Sequence, residues 1–159
     1  MTPTGSFEDF YSQHRSRLVG ALTSFVGDID MAAEAVDEAM ARAFARWSRL
    51  KRHPEPAGWV FVTARNVARR NAKRRGRQPS HIDEATTAEP PGGEMWLLVA
   101  DLPDRQREVI VLRHIAGLTE RAIGDALGIT RGTVSSTLRD AYRSLNIAMH
   151  EDESTGERA

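Results

Sequence analysis

Apolar residues recur at three- and four-residue intervals along most of this chain, and turn formers interrupt them. Phe7, Phe10, Tyr11, Leu18, Leu22 and Phe25 mark the inner side of a first helix over residues 7–26, with Ser6 as its cap and Gly27 as its stop. A second helix opens at Asp28 or Asp30 and continues to about Leu50, turning Met31, Ala35, Val36, Met40, Phe44 and Trp47 inward. Its outer face carries Glu34, Asp37, Glu38, Arg42 and Arg46, a pattern that an ordinary solvated helix surface also produces. His53-Pro54-Glu55-Pro56 breaks this helix, and Pro56 starts a third over residues 57–75, with Trp59, Val60, Val62, Ala64 and Val67 as its core side.

Residues 102–145 repeat the helical pattern three more times. Pro103 suits a first helical position, and Asp101 and Asp104 place negative charge near that positive end. Val109, Ile110, Leu112 and Ile115 form the apolar stripe, and Gly117 stops it. Thr119 caps the next helix, which buries Ala122, Ile123 and Leu127. Gly128 makes a sharp turn, Ile129 plugs the gap, and Thr130 caps a last helix that turns Val134, Leu138 and Leu145 inward. Gly124 is small where two steeply crossing helices need their closest approach, so the last two helices read as a helix-turn-helix. Arg131, Thr133, Ser135, Ser136, Thr137 and Arg139 are left outside, the hydroxyl and guanidinium groups that a recognition helix brings to base edges and phosphates.

Between the two halves, residues 78–93 (QPSHIDEATTAEPPGG) hold turn formers and few large apolar groups, and read as a flexible linker. Residues 94–100 begin a short helix, with Met95, Trp96, Leu98 and Val99 available to cover the second core. After Met149 the chain is small and acidic. The expected fold is all-α: small helical domains at 1–77 and 94–149, a linker at 78–93, and a disordered tail at 150–159.

The charge balance is even, 22 basic against 22 acidic residues, but its distribution is not. Arg65, Arg69, Arg70, Lys73, Arg74, Arg75 and Arg77 follow one another without an acid, whereas acids collect at 28–38, after Ile82 and in the tail. Such segregation suits one face for nucleic acid and another for a different partner. Phe61, Asn66, Arg69, Arg70 and Lys73 can share one exposed side, giving an aromatic for stacking, an amide for base edges and cations for phosphates. The plainer alternative is a core aromatic followed by a solvated basic helix end.

Composition narrows the rest. The chain has no cysteine, which excludes disulfides, thiolate metal sites and thiol nucleophiles and suits a reducing cytoplasm. No apolar run is long enough to cross a bilayer, and the N-terminus lacks a basic segment followed by an apolar one, so a cytoplasmic protein without membrane insertion is expected. The 5 histidines are scattered, with no HExxH, phosphate-cradling glycine loop or serine elbow, so neither an enzyme nor a cofactor is expected.

Taken together, these features resemble the bacterial sigma factors, most closely the extracytoplasmic-function (ECF) group built from regions 2 and 4 alone. LPDRQREVIVLRHIAGLTERAIGDALGITRGTVSSTL is similar to region 4, DMAAEAVDEAMARAFARW to the polymerase-binding helix of region 2, and PAGWVFVTARNVARRNAKRR to the promoter-melting helix. The resemblance implies that Glu34, Asp37, Glu38 and Arg42 dock on the clamp helices of the largest subunit of core RNA polymerase. It places Phe61 and Asn66 at the unpaired −10 strand, aided by the loop of residues 51–55, with Arg69, Arg70, Lys73 and Arg74 on phosphates. Arg131, Thr133, Ser135, Ser136 and Arg139 would read the −35 duplex. The implied partners are core polymerase, including its β flap, promoter DNA and, as often in the family, an anti-sigma factor. In this chain Asp37 stands where a glutamine is common, Gly124 where alanine is preferred, and Ser135 and Thr137 where many members carry basic residues. A stand-alone helix-turn-helix regulator, with helical dimerisation or sensing in its first half, is the alternative reading.

Overall fold

The computed structural model describes the backbone of residues 5–76 and 98–156, and side chains through residue 146. Helix α1 (Phe7–Val26) starts where Ser6 Oγ accepts the Asp9 amide and ends at Gly27, whose φ of 74° is the left-handed conformation that closes a helix. Asp28 caps α2 (Ile29–Ala45) by accepting the amides of Asp30 and Met31. The long second helix expected from the pattern is broken at Arg46, and residues 47–50 form a separate short turn, α3 (Trp47–Leu50). Phe44, still within α2 and next to buried Ala43, lies on the surface, 62% exposed, rather than in the core, with its ring edge-on to Phe7. Pro56 opens α4 (Pro56–Arg74) as expected. Helices α1, α2 and α4 pack into the first bundle around Leu18, Leu22, Val36, Met40, Val60 and Val67.

In the second half Pro103 is the capping residue rather than the first helical one, and α5 (Asp104–His114) follows it. Thr119 Oγ1 accepts the Ala122 amide to cap α6 (Glu120–Leu127), and Gly128, at φ 69°, turns the chain toward α7 (Arg131–Gly156). Gly124 is buried beside that turn: a Cβ there would lie 2.8 Å from the Ile129 carbonyl oxygen, so only glycine lets α6 lie this close to the backbone leading into α7. The helix-turn-helix expected from the spacing is therefore present. Helix α7 continues through residues 150–156, where composition leads one to expect an unstructured tail; extending a formed helix costs far less than starting one. The expected linker and the beginning of the 94–100 helix lie outside the described residues, with helical backbone at 98–100.

The two helical halves are in contact. Buried side chains of both form one cluster running from Phe10 and Leu22 through Phe61 to Val109, Ile123 and Leu138. Helix α4 packs on α6, and α1 on α5.

Candidate nucleic-acid interface

Helix α4 divides its residues between core and solvent at 3.6 per turn, and this settles which of its groups can meet a ligand. Asn66, Arg69, Arg70, Lys73 and Arg74 are exposed along one side. Phe61 is not on that side. It is fully buried, with its ring 5.6 Å from that of Phe25, so it builds the core and leaves the proposed stacking platform. The exposed-side assignment failed because Phe61 sits one residue after core-facing Val60, and an aromatic filling the α1–α4 gap outweighs the outward reading. Trp59, expected in the core, is only half-buried, and the Arg46 guanidinium lies 5.9 Å from its ring centroid.

The basic run is also not uniform. Arg65 turns inward, over the Phe25 ring at 5.5 Å, and its Nη1 donates to the Ala126 carbonyl at 3.2 Å. Burial, helped by the neighbouring Arg69 charge, lowers its pKa from the usual guanidinium value. Sequence gave no hint of this role, because Arg65 belongs to the same cationic string as its exposed neighbours.

Helix α2 presents Glu34, Asp37 and Glu38 outward, with Arg42 half-buried beside them. Each acid holds a basic partner from its own chain. Arg15 donates both Nε and Nη2 to Asp37, at 2.7 and 2.9 Å. That hydrogen bond holds the Asp37 carboxyl below the usual carboxylate range and raises the Arg15 guanidinium. Arg42 donates to Glu38 at 2.6 Å, with Arg70 3.9 Å from the same oxygen, and Arg75 donates to Glu34 at 3.1 Å. The acidic face of α2 and the basic face of α4 thus adjoin. Such exposed pairs are each worth about 0–1 kcal/mol and exchange readily for other partners.

On α7, Arg131, Thr133, Ser136 and Arg139 are exposed. Thr130 Oγ1 accepts the Thr133 amide and lies 2.9 Å from the Thr133 hydroxyl, fixing the start of the helix. Ser136 Oγ and Thr137 Oγ1 both donate back to the Thr133 carbonyl. Ser135 is half-buried and donates to Glu120 of α6. Among the described residues no cluster of three or more His, Asp or Glu side chains could hold a metal, and no helix is long and apolar enough to cross a membrane.

Comparison with known proteins covers both halves. The family Sigma-70 region 2 matches residues 10–78, and Sigma-70, region 4 matches residues 98–146. The ECF RNA polymerase sigma factor SigL of Mycobacterium tuberculosis is 30% identical over 161 residues, spanning 89% of this chain and 87% of that protein. RNA polymerase sigma-E factor of Streptomyces coelicolor is 26% identical over 148 residues, spanning 87% and 83%. An uncharacterized protein of Rhizobium meliloti, R00370, is 32% identical over 109 residues, 69% of this chain but 23% of that longer protein. In fold, the chain is similar to the sigma factor RpoE of Bartonella quintana, solved in complex with the anti-sigma factor NepR, with a TM-score of 0.64, 19% identity, and 91% and 96% of the two chains covered.

Proposed function

We propose a division of labour for this chain, which belongs to the ECF RNA polymerase sigma factors. The acidic face of α2, Glu34, Asp37 and Glu38 with Arg42, docks on the clamp helices of the largest subunit of core polymerase. Docking exchanges the intrachain arginine partners of these acids for polymerase cations, which costs little because the pairs are exposed. On α4, Asn66 meets the unpaired −10 strand, and Arg69, Arg70, Lys73 and Arg74 hold its phosphates. On α7, Arg131, Thr133, Ser136 and Arg139 face the −35 duplex, with Ser135 joining them once it leaves Glu120. The region 4 half meets the β flap of polymerase. Sigma factors are not enzymes: polymerase does the chemistry, and this chain supplies the address.

The observation that carries this reading is a side of α4 carrying exposed Asn66, Arg69, Arg70, Lys73 and Arg74 in the same chain as a capped helix-turn-helix. A stand-alone regulator would leave that side of α4 unused. An inhibitor of the anti-sigma kind, as seen with the Bartonella RpoE, is a further proposed partner, covering the same faces. The test is to sequence transcripts made by core polymerase with and without this protein. New start sites sharing −35 and −10 elements are expected. An unchanged transcript set, or strong promoter binding by the protein without polymerase, overturns the reading.

A further inference from the structure

One aromatic side chain on the last helix takes no part in the core. Val134, Leu138 and Ala141 bury the inner side of α7, yet Tyr142 is 44% exposed. Its hydroxyl oxygen lies 2.7 Å from Nε2 of His114, the last residue of α5, and the two rings meet edge to face at 5.8 Å. A polar contact this open to solvent adds little to stability, but it aims the phenol. Along α7, Tyr142 stands about three turns after Arg131 and within roughly 20° of the same side, which Ser135 also shares. Exposed Arg139 is its neighbour one turn earlier. The side of α7 that carries the groups proposed to read the −35 duplex therefore continues onto the phenol.

The first residues of such a helix reach base edges in the major groove. Tyr142 lies about 16 Å from Arg131 along the axis, well beyond the ~8.5 Å depth of that groove, where the wall is sugar and phosphate. We propose that the Tyr142 hydroxyl, held by His114, grips a phosphate of the duplex at that wall. His114 is the positioning residue, and it also answers the charge: a phosphate arriving there draws a proton onto the imidazole. In the free chain burial, then the Arg113 charge, keeps His114 below the usual histidine range. The complex therefore holds more protons than its separate parts near neutrality, and duplex affinity rises as pH falls. The other charged groups around this end of α5 are Arg17 of α1, beside Gly117, Arg121 of α6, and Arg139 and Arg143 of α7, with Asp140 paired to Arg143. Guanidinium and carboxylate groups do not titrate near neutrality, which leaves His114 and, on α1, His14. The DNA role of α7 rests on the function proposed above; the contact between His114 and Tyr142 does not.

The test titrates the full chain against a random-sequence DNA duplex by fluorescence anisotropy, at about pH 8 and about pH 6. The unaltered chain should bind about 3–10-fold more tightly at the lower pH. Its plot of log affinity against log salt should also steepen there by up to about 1, as one more phosphate is neutralised. Tyr142→Phe keeps the ring and removes the hydroxyl, and should lose about 3–10-fold at the lower pH. His114→Gln can still hold the hydroxyl but cannot take up a proton. It should match the unaltered chain at about pH 8 and gain nothing at about pH 6, an effect that a purely structural role would not produce. In nuclear magnetic resonance the His114 imidazole signals, identified by their loss in His114→Gln, should titrate at higher pH with the duplex than without it. Unchanged affinity of Tyr142→Phe overturns the phosphate contact, as does a chain that binds no duplex at either pH. A pH gain that survives His114→Gln, or an imidazole that titrates alike with and without the duplex, overturns the role of His114. If instead the sigma reading is at fault, polymerase transcripts stay unchanged while the duplex results stand.

Discussion

Ser135 Oγ, on the recognition helix, donates a 2.7 Å hydrogen bond to the carboxylate of Glu120, the first residue of the helix before it. The Arg131 guanidinium stands 3.7 Å from the same carboxylate. One acid therefore holds together two of the groups proposed to read DNA and places a negative charge beside them. With hydroxyl-bearing Ser135, Ser136 and Thr137 rather than cations between Arg131 and Arg139, this carboxylate matters more here than on a strongly cationic helix.

Glu120→Gln keeps an acceptor for Ser135 but removes the charge. Duplex affinity should rise and its salt dependence steepen, as in fluorescence anisotropy titrations at several salt concentrations. Stability should change by less than about 1 kcal/mol, because the contact is partly solvated. Unchanged duplex affinity would mean that Glu120 does not face DNA.

Gly124→Ala should destabilise the protein by about 1–3 kcal/mol, because the new methyl meets backbone rather than a movable side chain, and the helices must shift to admit it. Urea unfolding checks this. An unchanged midpoint would show that the turn at Gly128 absorbs the displacement.

Acidification should weaken the fold before the carboxylates titrate. Burial, then the Arg17 charge, lowers the pKa of His14; burial, then Arg113, lowers that of His114. Unfolded histidines take up protons near pH 6.5, whereas these native ones wait for lower pH. The unfolded state thus binds more protons in that window, and stability falls as pH drops below about 6.5, levelling off below the native values. His14→Leu should flatten this dependence between about pH 7.5 and 5.5 in urea titrations, since the buried Nδ1 of His14 has no hydrogen-bond partner to lose. The Asp37 carboxyl, held low by Arg15, would add its loss only at more acidic pH.

Asp37→Lys combined with Glu38→Lys should abolish co-purification with core polymerase while leaving the far-ultraviolet circular dichroism unchanged. Only exposed ion pairs are lost inside the chain, and the solvent-facing side chains can swing apart to relieve repulsion from Arg15 and Arg42. Retained polymerase binding would exclude these acids from the docking face.

Asn66→Ala should slow open-complex formation on a cognate promoter without changing stability or polymerase binding, whereas Phe61→Ala should cost about 3–5 kcal/mol of stability, the usual penalty for emptying a buried aromatic site. Permanganate footprinting reads the first effect and thermal unfolding the second. An Asn66→Ala protein that opens promoters at the normal rate would remove this residue from the −10 strand.

The sequence by itself determined the all-helical class, the limits of α1 and α4 to within a residue or so, and the helix-turn-helix, because caps, prolines and glycines act on their own neighbours. Ser6, Gly27, Asp28, Pro56, Thr119 and Gly128 each do locally what their chemistry requires. Only the tertiary structure decided that Phe61 is core and Phe44 is surface, that Arg65 leaves its cationic neighbours to hold Ala126, and that Glu55 reaches Thr119. These outcomes depend on which helices pack together and at what depth. Periodicity shows that a helix has an inner side, but the width of that side, and the distant backbone that meets it, belong to the partner helix.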